Sequence, residues 1–235
     1  MTHRILVPFE LPDPEPVSRL LVEDLAAMEV VLLGHYSLPE QTSPKAARRQ
    51  FGEETQAELD ALAADFEAAG ADVTTRLVFG KDRPKAIDEI AVDENCDAEL
   101  DPAPTDGIDR ILVPLVDAEN LERLEDFVAA LLEATTTEVT LFHAVEGEEK
   151  RGEIEAMLDG ARERMVADGF DPDLVDVAVV EGEDHDSAIL RLAEEYDAVV
   201  MGEADPGIAE RIFGSLPDRI ADRTGDPVIV VRRNL

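Results

Sequence analysis

The chain has 235 residues, enough for one large domain or for two domains of about 100–150 residues each. It contains 55 acidic residues against 21 lysines and arginines, and 45% of its residues are hydrophobic. The hydrophobic content excludes general disorder, and a formal charge of −34 without a basic stripe excludes binding to nucleic acid or to an anionic membrane surface.

The acidic residues are spread along the whole chain and are not collected in one tail. Such a surface, combined with few lysines, is typical of a halophilic protein that stays soluble in concentrated salt. There the Debye length is roughly 3 Å or less, so that the self-repulsion is largely screened. A very acidic protein from a low-salt organism is the alternative.

Cellular location is indicated by three features of the sequence. Cys96 is the single cysteine, which excludes an intrachain disulfide and agrees with a reducing compartment. The N-terminal segment has an apolar run of about four residues, too short for a secretory signal. No stretch approaches the ~20 apolar residues of a membrane span. We therefore expect a cytoplasmic protein without direct membrane insertion.

The first hundred residues alternate short apolar runs with helical patterns. Continuous apolar runs are typical of parallel strands that are covered on both faces. The strand candidates are Ile5–Pro8, Val30–Tyr36, Val73–Phe79 and a short run near Ala98. A long helical pattern, Glu53–Ala69, ends at Gly70, where a helix C-cap is expected.

The second half follows the same order after a turn-rich linker, Asp101–Gly107. Its helical pattern Glu153–Asp168 is again closed by a glycine, Gly169. The strand candidates are Ile111–Leu115, Val139–Val145, Val175–Val180, Ala198–Met201 and Val228–Val231.

Short motifs recur in the same order in both halves, which indicates a tandem duplication. Arg4–Pro8 and Arg110–Pro114 both have the sequence Arg-Ile-Leu-Val-Pro, and each of two equivalent strands ends near a histidine, His35 or His143. We predict an α/β protein with two tandem open doubly wound parallel-sheet domains, residues 1–103 and 108–235. The first domain lacks the last strand and helix, because the linker follows its fourth strand directly.

Several segments of the second copy together resemble the universal stress protein family. They are Ile111–Pro114, Glu195–Gly202, Phe213–Ser215 and Asp226–Arg232. The resemblance implies an adenine-nucleotide α-hydrolase-like fold for the second copy over nearly its full length. It covers the first four strands of the first copy, which is therefore a degenerate domain.

Some members of that family bind ATP through the motif Gly-x2-Gly-x9-Gly-Ser/Thr, whose glycines let backbone N–H groups approach phosphate at a helix N-terminus. Gly202, Gly214 and Ser215 match this motif, whereas Asp205 stands at the second glycine position. Ser215 also begins a capping box that ends at Asp218, so that a purely structural role as a helix cap is the alternative.

The resemblance implies an adenine-nucleotide pocket, for ATP with Mg²⁺ or a related nucleotide, in the second copy. The family's acid after the first strand is replaced there by Val116, while the first copy has Glu10 at this position. The residues expected to line the pocket are Pro114, Leu115, Val116, Ala144, Met201, Gly202, Gly214, Ser215 and Leu216.

No nucleophile and base stand at a readable catalytic spacing, and no motif of cysteines and histidines suggests zinc. We interpret His35 and His143 as structural residues at strand ends, and Glu183–Asp186 as a solvated acidic turn. The expected function is a non-enzymatic stress-response or regulatory module. The alternative is a ligand-free interaction protein that regulates a membrane transporter or another partner. A weak nucleotide hydrolase is a third alternative, which no motif in the sequence predicts.

The last strand, Val228–Val231, has no evident counterpart in the first copy. An apolar edge strand that stays unpaired invites association, and the resemblance implies that this strand joins two domains antiparallel. We therefore expect a homodimer formed through Val228–Val231.

Overall fold

The computed structural model describes residues 3–14, 16–103, 107–115, 121–132, 136–145, 150–203 and 215–233. These residues alternate strands and helices, as the apolar runs predict. The strands are β1 (Arg4–Leu11), β2 (Glu29–Ser37), β3 (Asp72–Gly80), β4 (Ala98–Asp101), β5 (Arg110–Pro114), β6 (Glu138–Val145), β7 (Val175–Glu181), β8 (Ala198–Gly202) and β9 (Val228–Val231).

The helices lie between the strands. They are α1 (Arg19–Asp24), α2 (Pro44–Ala69), α3 (Arg83–Asp93), α4 (Leu121–Leu131), α5 (Arg151–Ala167), α6 (His185–Leu192) and α7 (Leu216–Thr224), with short 3₁₀ turns at Leu25–Ala27, Pro172–Leu174 and Ala193–Glu195. The second helix begins nine residues before the predicted Glu53, because Pro44 occupies its first turn. It ends at Gly70 with φ of 105°, as predicted. Among the described residues, no helix is both long and apolar enough to cross a membrane.

All strands belong to one sheet in the order β3-β2-β1-β4-β9-β8-β5-β6-β7. In the first half β1 lies between β2 and β4, and in the second half β5 lies between β6 and β8. The predicted α/β fold with parallel strands is confirmed. The two expected sheets are joined into one, and the domain bounds 1–103 and 108–235 stay a prediction.

β9 joins the two halves of the sheet. It pairs parallel with β8 and antiparallel with β4, with Val228 opposite Asp101 and Val231 opposite Ala98. The expectation that Val228–Val231 lacks a counterpart within the chain is therefore wrong, since β4 is that counterpart. A homodimer through this strand would have to replace an existing ladder of backbone hydrogen bonds.

Within each half, two of the repeated motifs contact each other at the start of the central strand. The Asp97 N–H donates to the Arg4 carbonyl at 2.7 Å, and the Asp97 carboxylate accepts from the Arg4 N–H at 2.9 Å. Asp197 and Arg110 make the same pair of hydrogen bonds at 2.9 and 2.8 Å. The aspartate thus ties the first residue of the central strand to the fourth strand, which explains why both motifs recur.

The two faces of the sheet differ in how they are covered. One face carries a core that runs through both halves, with Phe66 of α2 and Phe127 of α4 almost fully buried. The opposite face carries separate clusters in the two halves. Ile87 of α3 covers the first, whereas Ile189 of α6 and Ile220 of α7 cover the second.

Glu99 stands where the second half has a buried valine. Glu99 pairs with Leu6, and Val199 pairs with Leu112, so the two residues are equivalent in register. Val199 is 2% exposed in the cluster under α6 and α7, whereas Glu99 is partly exposed and the described part of the first half has no counterpart of α7. Burial raises the pKa of the Glu99 carboxyl to about 7, although the positive charge of Arg232 lowers it.

We predict that Glu99→Gln stabilises the protein above neutral pH much more than near pH 5. The pKa of Glu99 rises from 4.5 to about 7 on folding, so the unfolded chain loses this proton first and stability falls as the pH rises through that interval. Well above pH 7 the partly buried carboxylate destabilises the fold by about 3 kcal/mol, a contribution that glutamine lacks.

Urea unfolding at pH 5 and pH 8 in molar KCl measures this difference. Glu89→Gln, which changes an exposed carboxylate of α3, is the matched control and should show little dependence on pH. An equal effect of Glu99→Gln at both pH values would contradict the prediction.

Candidate functional site

The strand order opens a crevice in the second half. β5 lies between β6 and β8. The helix after β5 packs on one face of the sheet through Phe127, and the helix after β8 packs on the other face through Ile220. In open parallel sheets, ligands bind beyond the C-terminal strand ends at such a reversal of strand order.

Most of the predicted pocket residues lie at this edge. Pro114 ends β5, Leu115 follows it, Ala144 lies one residue before the end of β6, and Met201 and Gly202 end β8. Ala144 and Met201 share a buried cluster with Leu216 at the start of α7, so the fold brings residues from three elements together. Val116 and Gly214 lie outside the described residues, as does Asp205.

Ser215 caps α7. Its Oγ accepts from the Asp218 N–H at 3.3 Å and donates to Asp218 Oδ2 at 2.6 Å. The same carboxylate accepts from the Ser215 N–H at 3.0 Å, which confirms the predicted capping box. The hydroxyl group is therefore engaged within the helix terminus.

Two histidines interrupt the ladder between β5 and β6 at the crevice. The Leu115 N–H donates to the Phe142 carbonyl at 2.8 Å, and in a continuing parallel ladder the Leu115 carbonyl would accept from the Ala144 N–H. Instead, His143 Nδ1 bonds the Leu115 carbonyl at 2.5 Å, and the Ala144 N–H donates to His185 Nδ1 at 3.4 Å. The two imidazoles thus replace the backbone hydrogen bond that would otherwise join Ala144 to Leu115.

The backbone partners determine which nitrogen of each imidazole carries the proton. A carbonyl can only accept, so His143 Nδ1 carries a hydrogen. A backbone N–H can only donate, so His185 Nδ1 is unprotonated. The His185 ring lies 5.7 Å from the Phe142 ring at an interplanar angle of 10° and 5.3 Å from the His143 ring, measured between centroids.

His35 and His143, which the sequence suggests are equivalent, do not occupy equivalent positions in the two halves. Pro8 pairs with Leu33, and Pro114 pairs with Phe142. His35 is therefore equivalent to Ala144, one residue away from His143, and the two histidines point to opposite faces of their strands. His185 was not among the predicted pocket residues, because its position depends on where α6 begins.

The acidic segment Glu183–Asp186 leads into α6, with a bend at Glu183, Asp184 as the N-cap and Asp186 in the first turn. Asp184 Oδ1 accepts from the Ser187 N–H at 3.0 Å, and hydrogen bonding to Ser187 lowers the pKa of the Asp184 carboxyl. Asp186 pairs with Arg219 of α7 at 2.8 Å. Among the described residues, no group of three or more histidine, cysteine or acidic side chains is arranged to hold a metal ion.

Glu203 directly follows β8 and places a carboxylate at this edge of the sheet. The Glu203 carboxylate accepts from the Arg233 N–H at 2.9 Å, and its carbonyl accepts from Arg233 Nε at 3.0 Å. Arg233 is thus held beside the end of β8, where the sequence alone did not place a cation. This arginine offsets part of the negative charge at the edge.

At the equivalent edge of the first half, Glu10 has polar partners within the protein. The Glu10 carboxylate lies 3.4 Å from His35 Nδ1 and 3.7 Å from Arg83 Nε. Arg83 also donates to the Pro8 carbonyl at 3.3 Å. The carboxylate of Glu10, which stands at the position of the family's acid after the first strand, therefore has a cation of the protein beside it.

The model of the universal stress protein family matches residues 107–232, more than half of the chain. The protein belongs to the universal stress protein family. No curated protein matches this universal stress protein at a significant level.

Solved structures show the same fold. A universal stress protein from Archaeoglobus fulgidus DSM 4304 is 19% identical, with a TM-score of 0.68 and coverage of 98% of both chains. A protein from Pseudomonas aeruginosa UCBPP-PA14, assigned to the universal stress proteins, is 18% identical with a TM-score of 0.52, covering 98% of this chain and 93% of that chain. A universal stress protein in complex with cAMP is 24% identical with a TM-score of 0.43, covering 53% of this chain and 96% of that chain.

We predict that Ser215→Ala destabilises the protein by about 1 kcal/mol, because the N-terminus of α7 loses its cap. Glycine is tolerated at N-caps and reduces stability by only a few tenths of a kcal/mol relative to serine. Urea unfolding of Ser215→Ala and Ser215→Gly tests this comparison. An alanine variant as stable as the wild type would show that the capping box contributes nothing.

Proposed function

We propose that this universal stress protein is a non-enzymatic regulatory module of the stress response, whose second half binds an adenine nucleotide. The observation that carries the proposal is the crevice beyond β5, β6 and β8, which lies within the part of the chain that matches the family. A halophilic character and a cytoplasmic location belong to the same proposal. The first rests on the acidic composition, and the second is supported by the single cysteine.

Several of the pocket residues have a physical role in this proposal. Pro114, Leu115 and Met201 supply apolar surface and backbone groups for the base. Gly202 has no side chain and lets a phosphate approach the strand end. The first turn of α7, which begins after Ser215, contributes positive potential toward the phosphate. Val116 and Gly214 belong to the proposed pocket on sequence grounds.

The charge of the protein affects how a nucleotide can bind. A chain with a formal charge of −34 repels a polyphosphate, and the repulsion decreases as salt screens it. Mg²⁺ bound to the nucleotide would reduce the same repulsion. We therefore propose that ATP binding requires Mg²⁺ and high salt. The affinity for AMP, which carries less negative charge, should depend less on both.

The polar side chains at the crevice support binding without turnover. His143 and His185 bond backbone groups, and the Ser215 hydroxyl bonds Asp218. Nucleophilic catalysis requires a nucleophile within hydrogen-bond reach of a base. Ser215 and Asp218 meet this distance requirement, but the carboxylate also accepts from the Ser215 N–H and the hydroxyl also accepts from the Asp218 N–H, so both groups serve to cap α7. This arrangement favours a sensor over a hydrolase.

We predict that Gly202→Val abolishes nucleotide binding, because a branched side chain at the end of β8 fills the space that a phosphate needs. Isothermal titration with ATP, ADP and AMP in molar KCl with Mg²⁺ measures the affinity. Pro102→Val changes the equivalent position after β4 in the first half and should leave the affinity unchanged.

Three results of this titration have different meanings. Binding to the wild type and to Pro102→Val, but not to Gly202→Val, would support the site in the second half. Equal loss in both variants would contradict that placement. Absence of binding to folded wild-type protein at millimolar nucleotide would overturn nucleotide sensing and favour the alternative, regulation of a transporter or another protein partner.

A further inference from the structure

The interrupted ladder between β5 and β6 leaves one backbone donor that faces the crevice. Ala144 lies two residues after Phe142, whose carbonyl accepts from the Leu115 N–H. In a strand, backbone groups two residues apart point to the same side, so the Ala144 N–H is directed toward the end of β5. Its bonding partner in this structure is a side chain, the His185 imidazole at 3.4 Å.

The His185 imidazole resembles a nucleobase in the chemistry of this contact. Its Nδ1 is an unprotonated ring nitrogen that accepts from a backbone N–H, as a ring nitrogen of adenine does. The ring is also nearly parallel to Phe142, at an interplanar angle of 10°. A planar heteroaromatic ring from the protein therefore bonds a backbone donor that a ring nitrogen of adenine could bond equally well.

This arrangement is specific to the second half. His185 is the first residue of α6 after the N-cap Asp184, and Arg83 is the first residue of α3 after the N-cap Asp82. Arg83 bonds the Pro8 carbonyl and lies near the Glu10 carboxylate, so the equivalent residue of the first half takes no part in a comparable contact. The imidazole contact accordingly coincides with the half that carries the proposed nucleotide pocket.

We propose that His185 is a placeholder for the base: it satisfies the Ala144 N–H in the ligand-free protein and rotates away when an adenine ring nitrogen takes its place. The inference rests on the proposed function, because it assigns a competing residue to the same pocket. His143 keeps its bond to the Leu115 carbonyl and holds the end of β5 in position. The affinity for the ligand is then lower than it would be without His185, because binding must first break the hydrogen bond between His185 and Ala144.

The first experiment needs no variant. Long-range ¹H–¹⁵N spectra of histidine-labelled wild-type protein should show His185 with Nδ1 unprotonated and Nε2 protonated in the ligand-free state. Addition of AMP in molar KCl should shift the ring nitrogens of His185 toward those of a solvated imidazole. A ligand-free His185 with a protonated Nδ1 would overturn the proposal, whatever the protein binds.

The second experiment compares affinities. His185→Ala should bind AMP about fivefold more tightly than the wild type, since a hydrogen bond of typical net strength no longer competes. Arg83→Ala, the equivalent change in the first half, should leave the affinity unaltered. Far-UV circular dichroism and thermal unfolding establish that both variants are folded.

The outcomes separate this proposal from the proposed function. Equal or weaker binding of AMP by His185→Ala than by the wild type would overturn the placeholder while leaving nucleotide binding in place. If neither protein binds AMP, ADP or ATP at millimolar concentration although His185 has the expected tautomer, nucleotide binding itself fails and the placeholder fails with it.

Discussion

The rest of the structure depends on the double pairing of β9. This strand gives the second half its fifth parallel strand and gives the first half the neighbour that β4 would otherwise lack. Without it, β4 and β8 would each present unpaired N–H and C=O groups, which are unfavourable unless they find partners. One strand therefore pairs with both halves of the chain, and the shorter first half remains part of a continuous sheet.

Much of the fold could be predicted because short sequence patterns indicate where its strands lie and where its helices end. Short apolar runs indicate buried parallel strands, and Gly70 marks the end of α2. The Arg4 and Asp97 motifs recur because they bond each other through backbone groups and one carboxylate. The pairing of β9 with β4 could not be predicted in this way, since backbone hydrogen bonds between distant strands leave no side-chain signature in either strand.

The candidate site was predictable where a motif follows a strand end, as at Gly202 and Ser215. It was not predictable where the role of a residue depends on register. A shift of one residue makes His35 equivalent to Ala144 and puts the two strand-end histidines on opposite faces. The contact of His185 with Ala144 joins residues 41 positions apart, and it requires both the end of β6 and the start of α6 to be placed correctly.

β9 is the last strand to be synthesised on the ribosome, which has a consequence for β4. β4 emerges long before its partner, and at roughly 5–20 residues per second its open edge waits on the order of ten seconds. During that interval the growing chain could pair with another nascent chain. β4 is only four residues long and alternates Ala98 and Leu100 with the carboxylates of Glu99 and Asp101. Short, acidic edge strands resist such pairing, so the charge that weakens the finished fold at Glu99 protects the unfinished one.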